Sequence, residues 1–285
     1  MSDAEYVLGT DAVEVDRLGL QHRVWRPFVV EAWRRAGIGP GRTVLDLGCG
    51  PGHASLDLSM EVGPRGHVIA LDQSRRFLDH LERRAREAGL TNIQTVECDL
   101  NAATVPFRRE PGWPSPFSVW GRWVLAFVRE PRRVLAQIAD ALAPGDTVVL
   151  HEYYDYAAWR LLPRSPELDE FVAAVMASWR ATGGEPDIGL QLPGWLTELG
   201  FDIVSTRSLV HVIPPADPIW DWPAAFVHAG THRLAALGQM TADRGEEIRG
   251  AVDAAARQPG VRLITPAVLE VIARKTSPDR RRTSA

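Results

Sequence analysis

The sequence predicts an α/β protein built on an open, mostly parallel β-sheet. Short apolar runs rich in β-branched residues alternate with longer amphipathic segments, which is the pattern of strands and helices in alternation. The first such run, Thr43–Leu47, is followed by a turn with three alternating glycines and then by a helical segment. Acidic residues or glycines also follow the next runs, and open α/β sheets bind their ligands at that carboxyl edge.

The composition is that of an ordinary folded protein. With 285 residues, of which 45% are hydrophobic and 24% charged, the chain can bury a large core as one domain with additions. The net charge of -4 gives no general attraction to nucleic acid or to an anionic membrane. Cys49 and Cys98 cannot form a disulfide framework, and neither a signal peptide nor an apolar run of about 18 residues is evident. We therefore expect a cytoplasmic protein that binds neither nucleic acid nor membrane.

Apolar periodicity and the positions of glycine and proline define the predicted elements. Strands are predicted over residues 43–47, 67–71, 93–97, 117–120, 147–150, 201–204 and 268–273, with 209–213 either continuing the sixth strand or pairing with it. Helices are predicted over residues 12–25, 28–36, 54–60, 75–88, 132–142, 167–179, 191–199, 224–237 and 246–256. Pro27 is expected in the first turn of the second helix, because proline fits there and disrupts a helix interior.

The glycine turn fits two classes of cofactor. Its backbone can turn sharply and approach a ligand, and the helix predicted over residues 54–60 directs free N–H groups into the turn. A dinucleotide site would have a further glycine where His53 stands, to seat a pyrophosphate. The anionic Asp46 and the nearby carbonyl groups instead suit a ligand that carries a cationic amine.

The Gly-x-Gly-x-Gly pattern, with an acid two residues before it, resembles motif I of the class I, Rossmann-like S-adenosylmethionine-dependent methyltransferases. The resemblance implies S-adenosyl-L-methionine as the cofactor, and it extends with specific motifs over most of residues 41–151. On this basis the motif I residues predicted to bind the cofactor are Asp46, Gly48, Cys49, Gly50 and Gly52.

The second predicted strand supplies an acid for the ribose. Asp72 and Gln73 directly follow the strand predicted over 67–71. At this position either cofactor class uses a carboxylate to accept hydrogen bonds from the ribose hydroxyls. The alternative is that Asp72 caps the helix predicted over 75–88. We predict that Asp72 and Gln73 contact the cofactor.

The third and fourth predicted strands lead into two further cofactor positions. Asp99 and Leu100 follow the third strand and resemble the position at which the family reads adenine with a carboxylate. Gly121 and Arg122 follow the fourth strand and resemble the family's fourth motif, whose backbone faces the methionine part. This stretch lacks the Asp/Asn-Pro-Pro-Tyr/Phe tetrad of enzymes that methylate amines of nucleic acids or glutamine, which argues against those acceptors.

The N-terminal segment resembles the preface of one bacterial branch of these methyltransferases. In that branch such residues close over the cofactor, so residues 1–40 are expected to form a lid in which Tyr6 and Gln21 contact the cofactor. Plain packing of these side chains is the alternative. The matching residues are Tyr6, Leu8, Arg17, Leu18 and Gln21.

The acceptor is expected just past the fifth strand. His151 and Glu152 are the best candidates for a general base on an acceptor hydroxyl, although strand alternation would turn only one of them to the ligand. Glu152 could instead anchor the lid or line the pocket, as the matching acid does in the family branch. Aromatic side chains with polar tips suit an amphipathic organic substrate. Those predicted to bind the acceptor are Tyr153, Tyr154, Tyr156 and Trp159.

The remaining segments are assigned by their position around the core. Residues 41–152 and 190–275 are predicted to form the core, with cap insertions at 153–189 and 214–260 and a disordered tail at 276–285. His228 and His232 are four residues apart on one predicted helix, but no further ligands accompany them, so no metal is predicted.

The whole sequence therefore predicts a seven-stranded, mostly parallel Rossmann-like sheet with an antiparallel last strand, an N-terminal helical lid and helical cap insertions. The expected activity is methyl transfer from S-adenosyl-L-methionine to a small organic acceptor, apolar or aromatic and bearing a hydroxyl group. Two alternatives stay open: a protein that binds S-adenosylmethionine without transferring methyl, and an NAD-dependent dehydrogenase. A nucleic-acid methyltransferase is disfavoured by the charge and by the missing tetrad. The assembly is left open, with a homodimer as one option.

Overall fold

The structure, a computed structural model, describes residues 12–101 and 117–277. The predictions for Tyr6 and Leu8, and most of the predicted tail, lie outside these residues. The main sheet has seven strands in the order β3-β2-β1-β4-β5-β10-β7, and β10 runs antiparallel to both of its neighbours. The predicted fold class is confirmed. These strands are β1 (Thr43–Leu47), β2 (His67–Asp72), β3 (Ile93–Glu97), β4 (Phe117–Arg122), β5 (Thr147–Asp155), β7 (Phe201–Leu209) and β10 (Ala267–Lys275).

The strand order reverses at β1, which pairs in parallel with β2 on one side and with β4 on the other. Leu47, the last residue of β1, lies opposite Leu71 on β2 and opposite Gly121 on β4. The carboxyl ends of these three strands therefore meet at one edge. In open α/β sheets such a switch point opens a crevice in which ligands bind.

Helices cover both faces of the sheet. Because strand residues alternate, Val44 packs into a core shared with the N-terminal helix, whereas Leu45 and Leu47 pack into a second core on the opposite face. The helices are α1 (Ala12–Arg35), α2 (His53–Val62), α3 (Arg75–Glu87), α4 (Pro131–Ala141), α5 (Pro166–Ala181), α6 (Leu192–Glu198), α7 (Asp221–Ala236) and α8 (Ala242–Ala255).

A small second sheet, which the sequence did not predict, lies near α5, α7 and α8. It has the order β6-β9-β8 and consists of β6 (Arg160–Leu162), β9 (Arg262–Ile264) and β8 (Val212–Ile213). Strands this short contain too few residues to show an alternating pattern. Residues 209–213 neither wholly continue the sixth predicted strand nor pair with it. β7 ends at Leu209, and β8 pairs with β9 in the small sheet.

The prediction of two N-terminal helices was wrong. α1 is one continuous helix with Pro27 in its interior. Proline has no N–H group, so the carbonyl of Arg23, four residues earlier, lacks its usual partner in the helix. Because Arg23 and Pro27 are both exposed, water can bind this carbonyl. The buried face continues past the proline through Val29 and Trp33, and its packing holds the helix together.

The fifth strand is longer than predicted. It continues past residue 150 to Asp155, because His151, Glu152 and Tyr153 pair with β10 on one side. The polar residues at this point gave no local signal of a continuing strand. Tyr153 and Tyr154 therefore lie within a strand, and not in a loop beyond it.

Replacing Pro27 with alanine should stabilise the protein. Alanine restores the missing N–H donor in a helix interior, and we expect the free energy of unfolding to rise by about 1–3 kcal/mol. Urea unfolding checks this, with Arg23→Ala as an exposed control on the same helix that should change stability by less than about 0.5 kcal/mol. A destabilised Pro27→Ala variant would contradict the account of α1.

Candidate functional site

A cavity of about 100 Å³ lies at the carboxyl ends of β1, β4 and β5, with α1 across it. This volume is smaller than the roughly 300–1,000 Å³ of typical ligand pockets, so the site must enlarge to hold a whole cofactor. The residues around it come from the glycine turn (Gly48, Cys49, Gly50 and Pro51), from α1 (Glu14, Arg17, Leu18 and Gln21), and from an aromatic group (Trp120, Trp123, Phe127, Tyr153, Trp179 and Phe226), together with Asp46, His53, Ala54 and Arg122.

The turn after β1 is built so tightly that it excludes side chains. Gly48 and Gly52 have φ angles of 64° and 85°, a region that favours glycine. A Cβ on Gly48 would lie 2.4 Å from Val124 Cγ2, and one on Gly52 would lie 2.4 Å from Leu81 Cδ1. The turn therefore presents bare backbone to the cavity.

Asp46 joins this turn to the start of the next helix. Its Oδ2 accepts a hydrogen bond from Ser55 Oγ at 2.6 Å, and the side chain is buried. Burial raises the pKa of Asp46 to about 6, so the carboxylate is ionised at neutral pH. An anion here, on the cavity wall, suits a cationic ligand group.

Asp72 connects the ends of β1 and β2 and lies just behind the cavity. Its two carboxylate oxygens accept hydrogen bonds from the N–H groups of Gly50 and Ser74, each at 2.8 Å. Burial raises its pKa to about 6. The N-cap of α3 is Ser74, whose Oγ accepts from the Phe77 N–H, so Asp72 is not the helix cap. Its predicted contact with ribose stays a prediction.

Four further predicted cofactor residues, Gln73, Asp99, Leu100 and Gly121, do not line the cavity. Gln73 is exposed, and Asp99 is partly exposed with its Oδ1 accepting from the Asn101 N–H at 2.8 Å. Leu100 is buried just before residues 102–116, which lie outside the described part. Gly121 lies between β1 and β5, where an added Cβ would approach Leu150 Cδ2 to 3.1 Å.

The side chains of α1 predicted to form a lid do reach the cavity. Arg17 makes an ion pair with Glu14 through two contacts of 2.7 and 2.6 Å. Gln21 accepts hydrogen bonds from Arg17 and from the indole N–H of Trp222, each at 3.2 Å. Leu18 lies above Gly50. Both α1 and the cap thus contribute to one polar network at the cavity.

An aromatic stack that sequence reasoning missed forms the far wall. The Trp123 ring lies parallel to Tyr153, with centroids 5.2 Å apart, and parallel to Trp222, with centroids 5.3 Å apart. Trp123 has a φ of 51°, an uncommon angle for a residue with a side chain. The one available signal was composition, because the chain contains 10 tryptophans.

Only one of the four predicted acceptor residues, Tyr153, lines the cavity. Tyr156 and Trp159 are buried behind it in the cap. The hydroxyl of Tyr154 is 2.8 Å from Ser208 Oγ, on the edge strand of the sheet. Strand alternation within the extended β5 separates these side chains.

His151 and Glu152, predicted as candidate bases, are fully buried and do not border the cavity. The Nε2 atom of His151 lies 3.2 Å from Oε2 of Glu270. Oε1 of Glu152 accepts hydrogen bonds from the N–H groups of Val124 and Leu125 at 2.9 and 2.8 Å. Burial raises the pKa of Glu152 to about 7. This geometry favours a structural role for both side chains.

Comparison with known proteins identifies the class of enzyme. A family model described as a methyltransferase domain matches residues 38–184, just over half of the chain. The chain belongs to this methyltransferase family. It is an S-adenosylmethionine-dependent methyltransferase, and the dehydrogenase alternative is set aside.

One curated relative is a methyltransferase, and solved structures share the fold of this chain. The ubiquinone/menaquinone biosynthesis C-methyltransferase UbiE of Vibrio vulnificus is 29% identical over 206 residues, which cover 66% of this chain and 74% of the relative. Coclaurine N-methyltransferase, solved with N-methylheliamine and S-adenosylhomocysteine, has a TM-score of 0.54 and 14% identity over 87% of this chain and 72% of its own. The cyclase SpnF has a TM-score of 0.53 and 19% identity over 88% and 81% of the two chains. The structural similarities show a shared fold.

The residues present fit the cofactor of this methyltransferase. Asp46 supplies a buried anion for the cationic amino acid part, and the bare glycine turn leaves room for close approach. No helix within 12–101 or 117–277 has both the length and the apolar character needed to cross a membrane. Over the same residues, no three His, Cys, Asp or Glu side chains are grouped as metal ligands, and His228 pairs with Asp253.

Replacing Asp46 with asparagine should stabilise the ligand-free protein at pH 8 while weakening cofactor binding. The folded pKa of about 6 exceeds the ordinary aspartate pKa of 3.8, so the stability from this group is complete below about pH 3.8 and is lost as the pH rises through 6. The variant should gain up to about 3 kcal/mol at pH 8, and roughly half of that at pH 5. Urea unfolding at the two pH values measures the difference, and an equal effect at both would contradict the assignment.

Proposed function

We propose that this enzyme transfers a methyl group from S-adenosylmethionine to a small hydroxylated aromatic acceptor. The observation that carries the proposal is the pair of stacked rings of Tyr153 and Trp123, which borders the same cavity as the glycine turn and is backed by the ring of Trp222. A cofactor with its methionine part at the turn would direct its methyl group toward these rings. The acceptor would occupy the space between them and the turn.

The wall around this space favours a flat, mostly apolar molecule. Phe127, Trp179 and Phe226 border the cavity beside the stack. Aromatic side chains bind rings through stacked and edge-to-face contacts that add about 0.5–1.5 kcal/mol per pair to the burial of apolar area. Arg17, whose guanidinium carbon lies 5.3 Å from the centroid of the Phe226 ring, and Gln21 stand beside these rings, where they can bond polar ring substituents.

The name of the relative supports an aromatic acceptor of this kind. The Vibrio vulnificus protein is named for C-methylation in ubiquinone and menaquinone biosynthesis. A hydroxyl group on an aromatic ring is itself a nucleophile when ionised, and it also activates the neighbouring ring carbons. The same cavity therefore suits methyl transfer to oxygen, our first choice from the sequence, or to carbon.

The chemistry we propose depends mainly on positioning. An acceptor oxygen or carbon attacks the sulfonium methyl in line, the new bond to the methyl group forms as the bond to sulfur breaks, and S-adenosylhomocysteine leaves. Holding both reactants in line removes much of the entropic barrier. His53 borders the cavity, but burial lowers its pKa to about 4, which makes it a weak base.

Release of S-adenosylhomocysteine tests the proposal directly. We expect turnover with naphthols or hydroxylated quinols and none with aliphatic alcohols of similar size. Mass spectrometry of the product then distinguishes methylation of oxygen from methylation of carbon. If no aromatic acceptor supports turnover while aliphatic ones do, the proposed acceptor class is wrong.

Replacing Phe226 with leucine should weaken binding of the acceptor and leave binding of the cofactor unchanged. The change keeps an apolar side chain but removes a ring from the cavity wall, so we expect the KM for the acceptor to rise about 2- to 10-fold. The Kd for S-adenosylhomocysteine should stay within about 2-fold. His228→Ala, on the exposed side of the same helix, is the matched control. An unchanged KM in Phe226→Leu would place the acceptor elsewhere.

A further inference from the structure

In the described part of the chain, one cation on the cavity wall, Arg122, forms no ion pair with a carboxylate. Arg17 is paired with Glu14, as shown above. Arg122, at the end of β4, lines the same cavity and has no carboxylate oxygen within 4.0 Å among residues 12–101 and 117–277. Oδ2 of Asp46, a nearby carboxylate, already accepts a hydrogen bond from Ser55.

His22 fixes the direction in which the guanidinium of Arg122 points. Its Nδ1 lies 3.2 Å from Nη2 of Arg122, and its Nε2 lies 3.0 Å from Oδ2 of Asp57. Since a guanidinium can only donate hydrogen bonds, Nδ1 must accept and Nε2 must carry the proton donated to Asp57. Burial lowers the pKa of His22, which keeps the ring in this neutral form at neutral pH.

The other amino group of this guanidinium has no partner. Nη1 of Arg122 is buried and makes no hydrogen bond within the described residues. The guanidinium carbon lies 5.2 Å from the centroid of the Trp123 ring. Burial lowers the pKa of Arg122 to about 10, so the group is still charged at neutral pH. A buried, charged donor without an acceptor is unfavourable, and a ligand that supplies the acceptor would remove that penalty.

We propose that Arg122 binds an anionic oxygen of a small molecule in this cavity. The oxygen belongs either to the carboxylate of the cofactor's methionine part or to a carboxylate or phenolate of the acceptor. Arg122 lies between Asp46 on the cofactor side and Trp123 on the aromatic side, so both sources are within its surroundings. The inference rests on the proposed function only for the second source.

A phenolate beside Arg122 would also allow methyl transfer to proceed without a general base. An adjacent cation favours the ionised form of an oxygen acid. The acceptor would then bind as the anion and attack the methyl group without passing its proton to a protein side chain. Arginine suits this role because Arg122, even with its pKa lowered to about 10, carries its charge at neutral pH.

Two pairs of ligands distinguish the sources. Isothermal titration calorimetry compares S-adenosylhomocysteine with its decarboxylated analogue. Quenching of tryptophan fluorescence compares a hydroxynaphthoate with the methyl ester of the matching methoxynaphthoate, which can form neither a carboxylate nor a phenolate, on protein saturated with S-adenosylhomocysteine. Each pair is measured in the native protein, in Arg122→Met and in Arg122→Gln, which keeps a donor without the charge. Arg34→Met, whose side chain is 69% exposed on α1, is the control.

We expect the Arg122 variants to lose about 10-fold or more of the preference for the anionic member of one pair. A loss in the first pair assigns the oxygen to the cofactor, and a loss in the second assigns it to the acceptor. Arg34→Met should keep both preferences. The proposal is overturned if either Arg122 variant, folded by circular dichroism, retains both preferences. Because these are binding measurements, a failure to methylate any aromatic acceptor leaves them unaffected.

Discussion

The close packing of the turn after β1 is the constraint on which the site depends. Gly48 and Gly52 leave no space for a Cβ, because the side chains of Val124 and Leu81 already fill it. The turn can therefore present backbone alone at the edge where the strand order reverses. α1 crosses this turn and has a glycine of its own, Gly19, where it meets the ring of His53. A Cβ on Gly19 would lie 3.2 Å from Cε1 of His53, so a side chain there would press on this ring.

A second constraint is the burial of charge at the same edge. Burial raises the pKa of Asp46 and Asp72 to about 6 and that of Glu152 to about 7. Each of these carboxylates accepts hydrogen bonds from N–H or O–H groups of the protein. Buried charges reduce the stability of the ligand-free protein, and perturbed pKa values of this kind are concentrated at functional sites. A cation beside Asp46 and an anion beside Arg122 would reverse part of that loss.

The sequence was most informative where structure is determined locally. β1 and β3 have the predicted bounds, because each is a short segment with β-branched residues that is flanked by turn residues. The continuation of β5 through His151 and Glu152 depends on pairing with β10, more than 100 residues away, and no local pattern predicts it. The stack of Trp123 and Trp222 could not be predicted for the same reason, because its rings come from segments that are far apart in the sequence. The cofactor turn could be predicted because it is one continuous motif, whereas the acceptor wall is assembled from distant segments.

A crystal structure of the complex with S-adenosylhomocysteine tests the central claim most directly. The account predicts the homocysteine part between the backbone of the glycine turn and the side chains of Leu18 and Gln21 on α1, in a cavity larger than the present one. The sulfur atom should face the stack of Trp123 and Tyr153. A ligand bound away from the glycine turn, or a sulfur atom directed away from these rings, would contradict the account.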